Sequence, residues 1–180
     1  MAAKSSNDGY GTVAVAIHWA SALLIILLLG TGFRSGFSDD TAAKLAILQI
    51  HIPVAILVLV LTVSRLIWWW RADQKPAPLG TSPAWQEAIA HWTHRALYLL
   101  IFVLLGSGIA LSILSGASDA VFGSAPLPEF QDYGPRQAHG LAARVLAGLV
   151  ALHALAALWH HFGKRDATLR RMWFGSSTGR

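Results

Sequence analysis

The chain has 180 residues, of which 54% are hydrophobic and only 13% charged, and its mean hydropathy is +0.50. A soluble domain carries about 25% charged residues, so this composition indicates an integral membrane protein. The chain has no cysteine, which excludes disulfides, zinc-thiolate sites, iron–sulfur clusters and covalent haem attachment. The 14 Lys and Arg residues outnumber the 9 Asp and Glu residues, but in a membrane protein this excess predicts orientation and not nucleic-acid binding.

Four apolar runs are each long enough to cross a bilayer, which takes about 20 residues in a helix. They cover residues 12–33, 45–70, 92–117 and 137–162. The first run is longer than the apolar core of a signal peptide, so we expect it to be retained. The sequence therefore predicts one all-α integral membrane domain, residues 1–180, folded as a bundle of four transmembrane helices. No internal repeat is evident, and the longest connection, residues 118–136, is predicted to form a short surface helix or a lid.

The distribution of Lys and Arg predicts the orientation of the bundle. Most of these residues lie in the N-terminal segment, the connection between the second and third runs, and the C-terminal tail. The positive-inside rule then places both termini in the cytoplasm and residues 118–136 in the periplasm. Tryptophans cluster at the predicted cytoplasmic border, as an aromatic belt would: Trp68, Trp69, Trp70, Trp92, Trp159 and Trp173.

Four histidines fall at two depths in this topology. His139 and His153 lie 14 residues apart on nearly one face of the fourth run, about 21 Å apart along the axis. By depth, His18 and His153 share an inner layer near the cytoplasm, whereas His51 and His139 share an outer layer. Two pairs at two depths fit two haem b groups, each with a histidine at both axial positions of its iron.

Two arginines lie inside the predicted spans. Arg65 follows His51 by 14 residues and therefore reaches the inner layer on nearly the same face, and Arg144 lies in the outer part of the fourth span. An unpaired arginine at the bilayer centre costs about 2.5–3.5 kcal/mol on insertion scales, so each needs a partner. Both are candidates to pair with haem propionates.

Other interpretations of the histidines stay open from the residues alone. They could be hydrogen-bonding residues of a haem-free transport or interaction protein. No Asp or Glu lies inside any of the four predicted spans, which argues against a di-iron site and against a proton pump. His94 and His160, at the cytoplasmic ends of the third and fourth spans, are either interfacial residues or part of a quinone site, where a histidine can hydrogen-bond a quinone carbonyl.

Several short motifs resemble the bacterial cytochrome b561 family over nearly the whole chain. They are Ala16-Ile17-His18-Trp19, His51, Ser64-Arg65-Leu66, His94 with Tyr98-Leu99-Leu100, His139, Leu152-His153-Ala154, His160-His161, and Asp166 with Thr168 to Met172. The resemblance implies a multi-pass di-haem b protein of the bacterial inner membrane that exchanges electrons with ubiquinone. It also implies the ligand pairs His18 with His153 and His51 with His139, in agreement with the depths.

Some members of this family are understood to oxidise superoxide at the outer face and to pass the electron to ubiquinone. We therefore expect an oxidoreductase without a catalytic side chain, because an iron with two protein ligands transfers electrons without binding substrate. The alternative is a cytochrome b subunit that relays electrons between a partner dehydrogenase or hydrogenase and quinone. Membrane lipid is an expected partner of either, and nucleic acid is not.

Overall fold

The structure is a computed structural model that describes residues 2–7, 9–80 and 82–174. Regular secondary structure in this part of the chain is entirely helical. The α-helices are α1 (Thr12–Phe37), α2 (Thr41–Arg71), α3 (Ala84–Ser115), α4 (Ala117–Phe122) and α5 (Gly134–Trp159), and α5 continues as a π-helical turn, His160–Lys164. The four long helices are apolar enough to cross a membrane, and the fold is an all-helical membrane bundle.

Local sequence signals account for several of the helix ends. The Asp40 carboxylate accepts hydrogen bonds from the backbone N–H groups of Ala42 and Ala43 and so caps the start of α2. Helix α2 continues through Pro53, as a membrane helix can when neighbours satisfy the freed carbonyl. Gly116 ends α3 in the left-handed conformation, at φ 69°.

The exterior of the bundle is apolar. Large hydrophobic side chains with more than half of their surface exposed occur on every long helix, for example Leu23, Ile56, Leu99 and Leu155. The described chain has few fully buried hydrophobic residues, and the largest of them are Val15, Val58 and Val121. Such exposure would be unfavourable in water, and it is expected of helices that face lipid.

The long helices form two hairpins. Helix α1 packs along α2, and α3 packs along α5. The short helix α4 lies in the connection for which a surface helix or lid was expected, and it packs against both α2 and α3. The Gln49 side-chain amide of α2 donates a hydrogen bond to the Val121 carbonyl (3.1 Å), so α4 is attached to the end of the bundle opposite the termini.

The Asp73 carboxylate fixes the N-terminal segment to the end of α2. It accepts hydrogen bonds from the Ser5 N–H (3.0 Å) and hydroxyl (2.7 Å), the Trp68 indole N–H (3.1 Å) and the Gln74 N–H (2.9 Å). Burial by itself raises the pKa of Asp73, but these donors outweigh it and hold the pKa below its ordinary value.

The C-terminal segment closes the same end of the bundle. The buried Arg171 guanidinium donates to the carbonyls of Asn7 (2.8 Å) and Ala77 (2.9 Å). The Trp19 indole of α1 donates to the Met172 carbonyl (2.7 Å). The N-terminal segment and the segment after α5 therefore lie together, at one end of the four helices.

Candidate functional site

His51 of α2 is oriented by α1 in the outer layer. The Thr31 hydroxyl donates to the Leu27 carbonyl (2.8 Å), so its oxygen is free to accept a hydrogen bond from the His51 Nδ1–H (3.0 Å). A histidine whose Nδ1 carries the proton has its lone pair on Nε2. Thr31 thus leaves Nε2 of His51 as the nitrogen that is available to a metal.

His139 of α5 is held in the same way by α3. Its Nδ1 lies 3.1 Å from the Leu104 carbonyl and 3.1 Å from the Ser107 oxygen. A carbonyl only accepts, so Nδ1 of His139 donates, and its Nε2 also carries the lone pair. Metal-binding histidines characteristically donate their second ring nitrogen to such acceptors.

A glycine lies against each of these two rings. A Cβ atom on Gly32 of α1 would lie 3.3 Å from Cε1 of His51, and one on Gly108 of α3 would lie 3.3 Å from Cε1 of His139. Either contact is tighter than ordinary van der Waals packing, so any side chain there would press on the ring. The hydroxyl and the glycine beside it fix each imidazole from two directions.

The histidines of each layer face each other across the two hairpins. The ring centres of His51 and His139 are 6.3 Å apart, and those of His18 and His153 are 6.4 Å apart. Because a ring nitrogen lies about 1.1 Å from the ring centre and binds a transition metal at about 2.0–2.1 Å, two imidazoles on one metal have ring centres about 6.2–6.4 Å apart. Both ring-centre separations therefore match those expected for two imidazoles on opposite sides of a single metal, as in a haem with two axial histidines.

The inner layer contains a third imidazole and an arginine. His94 lies 5.2 Å from His153 between ring centres, too close for a metal between them, and its Nδ1–H donates to the Ala90 carbonyl (2.7 Å). Arg65 Nη1 donates to Nδ1 of His18 (3.3 Å). Its Nε is buried and makes no hydrogen bond within the described residues, so part of this guanidinium is available to an anion such as a haem carboxylate.

His18 differs from the outer histidines in its hydrogen bonding. Because a guanidinium only donates, Nδ1 of His18 accepts from Arg65 and the ring proton is on Nε2. Binding a metal through Nε2 requires the Arg65 guanidinium to turn away from Nδ1. In the outer layer, Nε2 of both histidines is thus already available to a metal. In the inner layer, His18 can bind a metal through Nε2 only if its hydrogen bond from Arg65 is broken.

His160 belongs to a polar network where α5 ends. Its Nδ1 contacts the Asp166 carboxylate, its Nε2 lies 3.3 Å from the Gln86 side-chain nitrogen, and Lys164 Nζ donates to the Gln86 oxygen (2.6 Å). Burial raises the pKa of Asp166, but hydrogen bonds from Thr168 and His160 outweigh it and leave the pKa lower than usual. The structure places His94 in the inner layer with Arg65 and His153, and His160 in this separate network.

Arg136 and Arg144 form a cationic patch beside the outer layer. A Cβ atom on Gly140, next to His139, would lie 2.9 Å from Arg136 Nη1 and 4.0 Å from Arg144 Nη1. Arg136 also reaches α1, where a Cβ on Gly36 would lie 3.5 Å from its Nη2. Arg144 is exposed on α5 and not enclosed in the bundle, and neither arginine forms a salt bridge within the described chain.

Other metal chemistry is not supported by the arrangement of side chains. Within the described residues, no group of three or more His, Cys, Asp or Glu side chains is placed to hold a metal ion. The two histidine pairs supply two ligands each, which is the number that a haem iron takes from the protein when both of its axial positions are occupied.

Comparison with known proteins identifies the family. The family model described as prokaryotic cytochrome b561 matches residues 9–175. The chain belongs to the prokaryotic cytochrome b561 family. Membership in this family of redox proteins implies a bacterial membrane protein that binds haem b, takes part in electron transfer and works with quinone-type redox partners.

Three curated relatives cover almost the whole chain. Two are from Escherichia coli K12: cytochrome b561 homolog 2, 29% identical over 99% of this chain and 98% of its own, and cytochrome b561 homolog 1, 31% identical over 91% and 96%. The third, named a probable superoxide oxidase CybB, is from Yersinia pestis, with 32% identity over 91% of this chain and 94% of its own.

Sequence reasoning missed the residues that hold the outer histidines. They are Thr31, Gly32, Ser107 and Gly108, each next to its partner in a Gly-Thr-Gly or Gly-Ser-Gly tripeptide. The signal that could have found them is the recurrence of this tripeptide in α1 and α3, because glycine is unfavourable inside a helix unless close packing requires it.

Proposed function

We propose that this chain is a di-haem b electron carrier of the bacterial inner membrane, with His18 and His153 as axial ligands of an inner haem and His51 and His139 as those of an outer haem. The observation that carries the proposal is that two separate ring distances, 6.4 Å and 6.3 Å, match the spacing of two imidazoles on one metal. The hydrogen bonds of His51 and His139 support it, because they leave Nε2 free on both rings.

Apolar side chains are buried halfway between the two layers. Val58 and Leu146 each lie seven residues from both layers, halfway along a separation of about 21 Å. They are only 2% and 3% exposed. Bound in both layers, haem b would supply one-electron carriers whose iron has no free coordination position. Val58 and Leu146 exclude water from the path between them.

The proposed orientation places the termini in the cytoplasm. Lys164, Arg165, Arg170 and Arg171 lie at that end, together with the tryptophans of the predicted belt. The outer layer, with α4 and the cationic patch of Arg136 and Arg144, then faces the periplasm. The anchoring of the N-terminal segment by Asp73 and Arg171 is compatible with either orientation, so the proposed orientation is supported by the charge distribution alone.

Superoxide is the proposed electron donor at the outer layer. Arg136 and Arg144 lack acidic partners in the described chain, so their charge is available to attract an anion. Each superoxide gives one electron and leaves as dioxygen. The name of the relative from Yersinia pestis supports the same substrate. Arg144 and Arg65 remain candidate partners for haem propionates, and Arg65 has the unpaired Nε that such a partner needs.

Ubiquinone is the proposed acceptor on the inner side. Two electrons and two protons convert one ubiquinone to ubiquinol, so two superoxide anions are consumed for each quinone. The His160 and Asp166 pair lies at the end of α5, where a proton can be passed towards the membrane border. His94, exposed beside His153 in the inner layer, is the other histidine proposed to hydrogen-bond the quinone, and it lies apart from the His160 network.

Superoxide oxidation can be tested with the purified protein in detergent. Superoxide from xanthine oxidase is expected to reduce the haem, and superoxide dismutase is expected to abolish the reduction. Replacing both outer arginines (Arg136→Gln, Arg144→Gln) is expected to slow the reduction at least tenfold and to weaken its dependence on ionic strength. Arg170→Gln removes a charge at the opposite end and serves as the control. Haem that superoxide does not reduce would instead support a subunit fed by a partner dehydrogenase or hydrogenase.

A further inference from the structure

The two hairpins carry matching residues in matching registers. In the first helix of each hairpin, a histidine is followed after 13 residues by a hydroxyl residue and after 14 by a glycine. In the second helix, a histidine is followed after seven residues by a buried apolar residue and after 14 by a residue of the inner layer. The corresponding pairs are His18 with His94, Thr31 with Ser107, Gly32 with Gly108, His51 with His139, Val58 with Leu146, and Arg65 with His153.

The contacts match as well as the registers. In the outer layer, Nδ1 of the histidine lies 3.0 Å from the hydroxyl in one hairpin and 3.1 Å in the other, and the glycine makes a 3.3 Å approach in both. The bundle is therefore two copies of one hairpin around an approximate two-fold axis. No single offset aligns the halves, because the connection after α3 contains α4 and is longer than the one after α1.

The approximate symmetry is broken in the inner layer. In the first hairpin His18 contacts Arg65, and in the corresponding place of the second hairpin His94 contacts His153. The approximate two-fold symmetry exchanges His18 with His94 and His153 with Arg65. It therefore relates the His18 and His153 pair to a second pair, His94 and Arg65. In the outer layer the two equivalent positions are both histidine, His51 and His139. These two residues form a single ligand pair, which the symmetry leaves unchanged.

An arginine at this position has a clear chemical consequence. A guanidinium stays protonated and has no lone pair to donate, so Arg65 cannot ligate iron. His94 therefore has no ligating partner opposite it, although its Nδ1–H is bound to the Ala90 carbonyl and its Nε2 lone pair is free. His94 has the tautomer of a metal ligand, and residue 65 is the position from which a second ligand opposite it would have to come.

Taking the ligand pairs of the proposed function as given, we propose that Arg65 selects which of two equivalent imidazoles ligates the inner haem, and that His94 is a latent ligand equivalent to His18. With arginine at position 65 of α2 and histidine at position 153 of α5, the inner haem is ligated by His18 and His153. With histidine at position 65 and arginine at position 153, it is ligated by His94 and the histidine at position 65. Arg65 is thus a specificity-determining residue of the inner layer.

Exchanging the two residues tests this inference in the full-length protein. His153→Arg alone is expected to leave one haem per chain, the outer one. The exchange variant Arg65→His/His153→Arg has the same composition and charge as the original chain, and it is expected to regain two haems. The readouts are haem per chain by pyridine haemochrome and the low-spin electron paramagnetic resonance signal of each haem, neither of which depends on activity.

Two further variants identify the ligand. In the exchange variant, adding His94→Ala is expected to remove the inner haem and adding His18→Ala to leave it, which is the reverse of their effects in the original chain. An exchange variant with the outer haem alone would overturn the inference while leaving the proposed function intact. Dependence on His18 in the exchange variant would overturn it too. Two haems in His153→Arg alone would instead refute the proposed ligand pairs.

A second background keeps the test decisive if the exchange variant does not fold, as shown by loss of the outer haem as well. Arg65→His alone retains all four proposed ligands. In this background, adding His18→Ala is expected to leave two haems, whereas His18→Ala in the original chain leaves one. One haem in both backgrounds would overturn the inference.

Discussion

His51 and His139 face each other with their ring centres 6.3 Å apart, although different hairpins hold the two rings. Thr31 of α1 fixes His51 of α2, and Ser107 of α3 fixes His139 of α5. Each hairpin therefore sets the direction of its own imidazole. The separation of the rings depends on how the hairpins dock, while the tautomers depend on contacts within each hairpin.

Removing the hydroxyl next to His51 is expected to weaken the outer haem selectively. Thr31→Val keeps the shape of the side chain but removes the one acceptor that the described residues provide for the His51 Nδ1–H. Loss of such a contact typically lowers metal affinity roughly 10–100-fold. Ser107→Ala is expected to have a smaller effect, because the Leu104 carbonyl still accepts from His139. Haem retention during dilution measures both; equal effects would contradict the unequal hydrogen bonding.

Small side chains at the two ring-contacting glycines are expected to disturb the same haem. Gly32→Ala and Gly108→Ala place a methyl group 3.3 Å from a ring carbon, so the imidazole must shift. We expect a changed potential or band position of the outer haem in a redox titration, and its loss with the larger Gly32→Val. Gly30→Ala and Gly106→Ala are matched controls, because a Cβ at those positions meets nothing within 4 Å. Equal shifts in the controls would rule out ring contact as the cause.

The layered assignment predicts separable ligand losses. His153→Ala is expected to remove the inner haem and to leave the outer one, and His139→Ala is expected to do the reverse. The reason is that the two pairs share no ligand and lie about 21 Å apart along α5. Optical spectra with haem quantification distinguish the outcomes. Loss of both haems in each variant, with the helical content unchanged, would refute two independent layers.

Asp73 is expected to make the stability of the protein depend on pH in the acid range. The pKa of this carboxyl is below its ordinary value of 3.8, so its stabilising effect is complete above about pH 4 and is lost as the pH falls through the lower folded value. Asp73→Asn is expected to reduce the free energy of unfolding by about 1–2 kcal/mol at neutral pH, since hydrogen bonds to a charged group are weakened.

The control for this prediction is Asp39→Asn, at the exposed start of α2 at the opposite end. Thermal melting in detergent between pH 3 and 7 makes the comparison. We expect the difference in melting temperature between the original chain and Asp73→Asn to shrink progressively as the pH falls below about 4. A constant difference between them over the whole range would show that the charge of Asp73 does not stabilise the protein.

The sequence was sufficient for the four long helices and the family. Length and uninterrupted apolarity predict membrane helices well, because the bilayer leaves a chain few alternatives. The depth of each histidine followed from counting residues along these helices. Helices α2 and α3 begin before the apolar runs do, because Asp40 and Pro83 at the helix starts lie outside the region where hydropathy is informative.

The orientation of individual side chains could not be derived from the sequence. Arg144 was expected inside the fourth span and lies exposed on α5, because a count along the axis gives depth but not the direction in which a helix faces its neighbours. The roles of Thr31 and Ser107 depend on contacts between helices, and the repeat of the two hairpins is obscured by the longer connection that contains α4. The distance between opposite histidines depends on docking of the hairpins.

Haem stoichiometry of the purified full-length chain is the most direct test of the central claim. Pyridine haemochrome analysis, together with protein quantification, is expected to give two haem b per chain. A redox titration of the same sample is expected to resolve two one-electron steps. One haem per chain, or none, in a folded sample expressed with sufficient haem would contradict the assignment of the two histidine pairs as two haem sites.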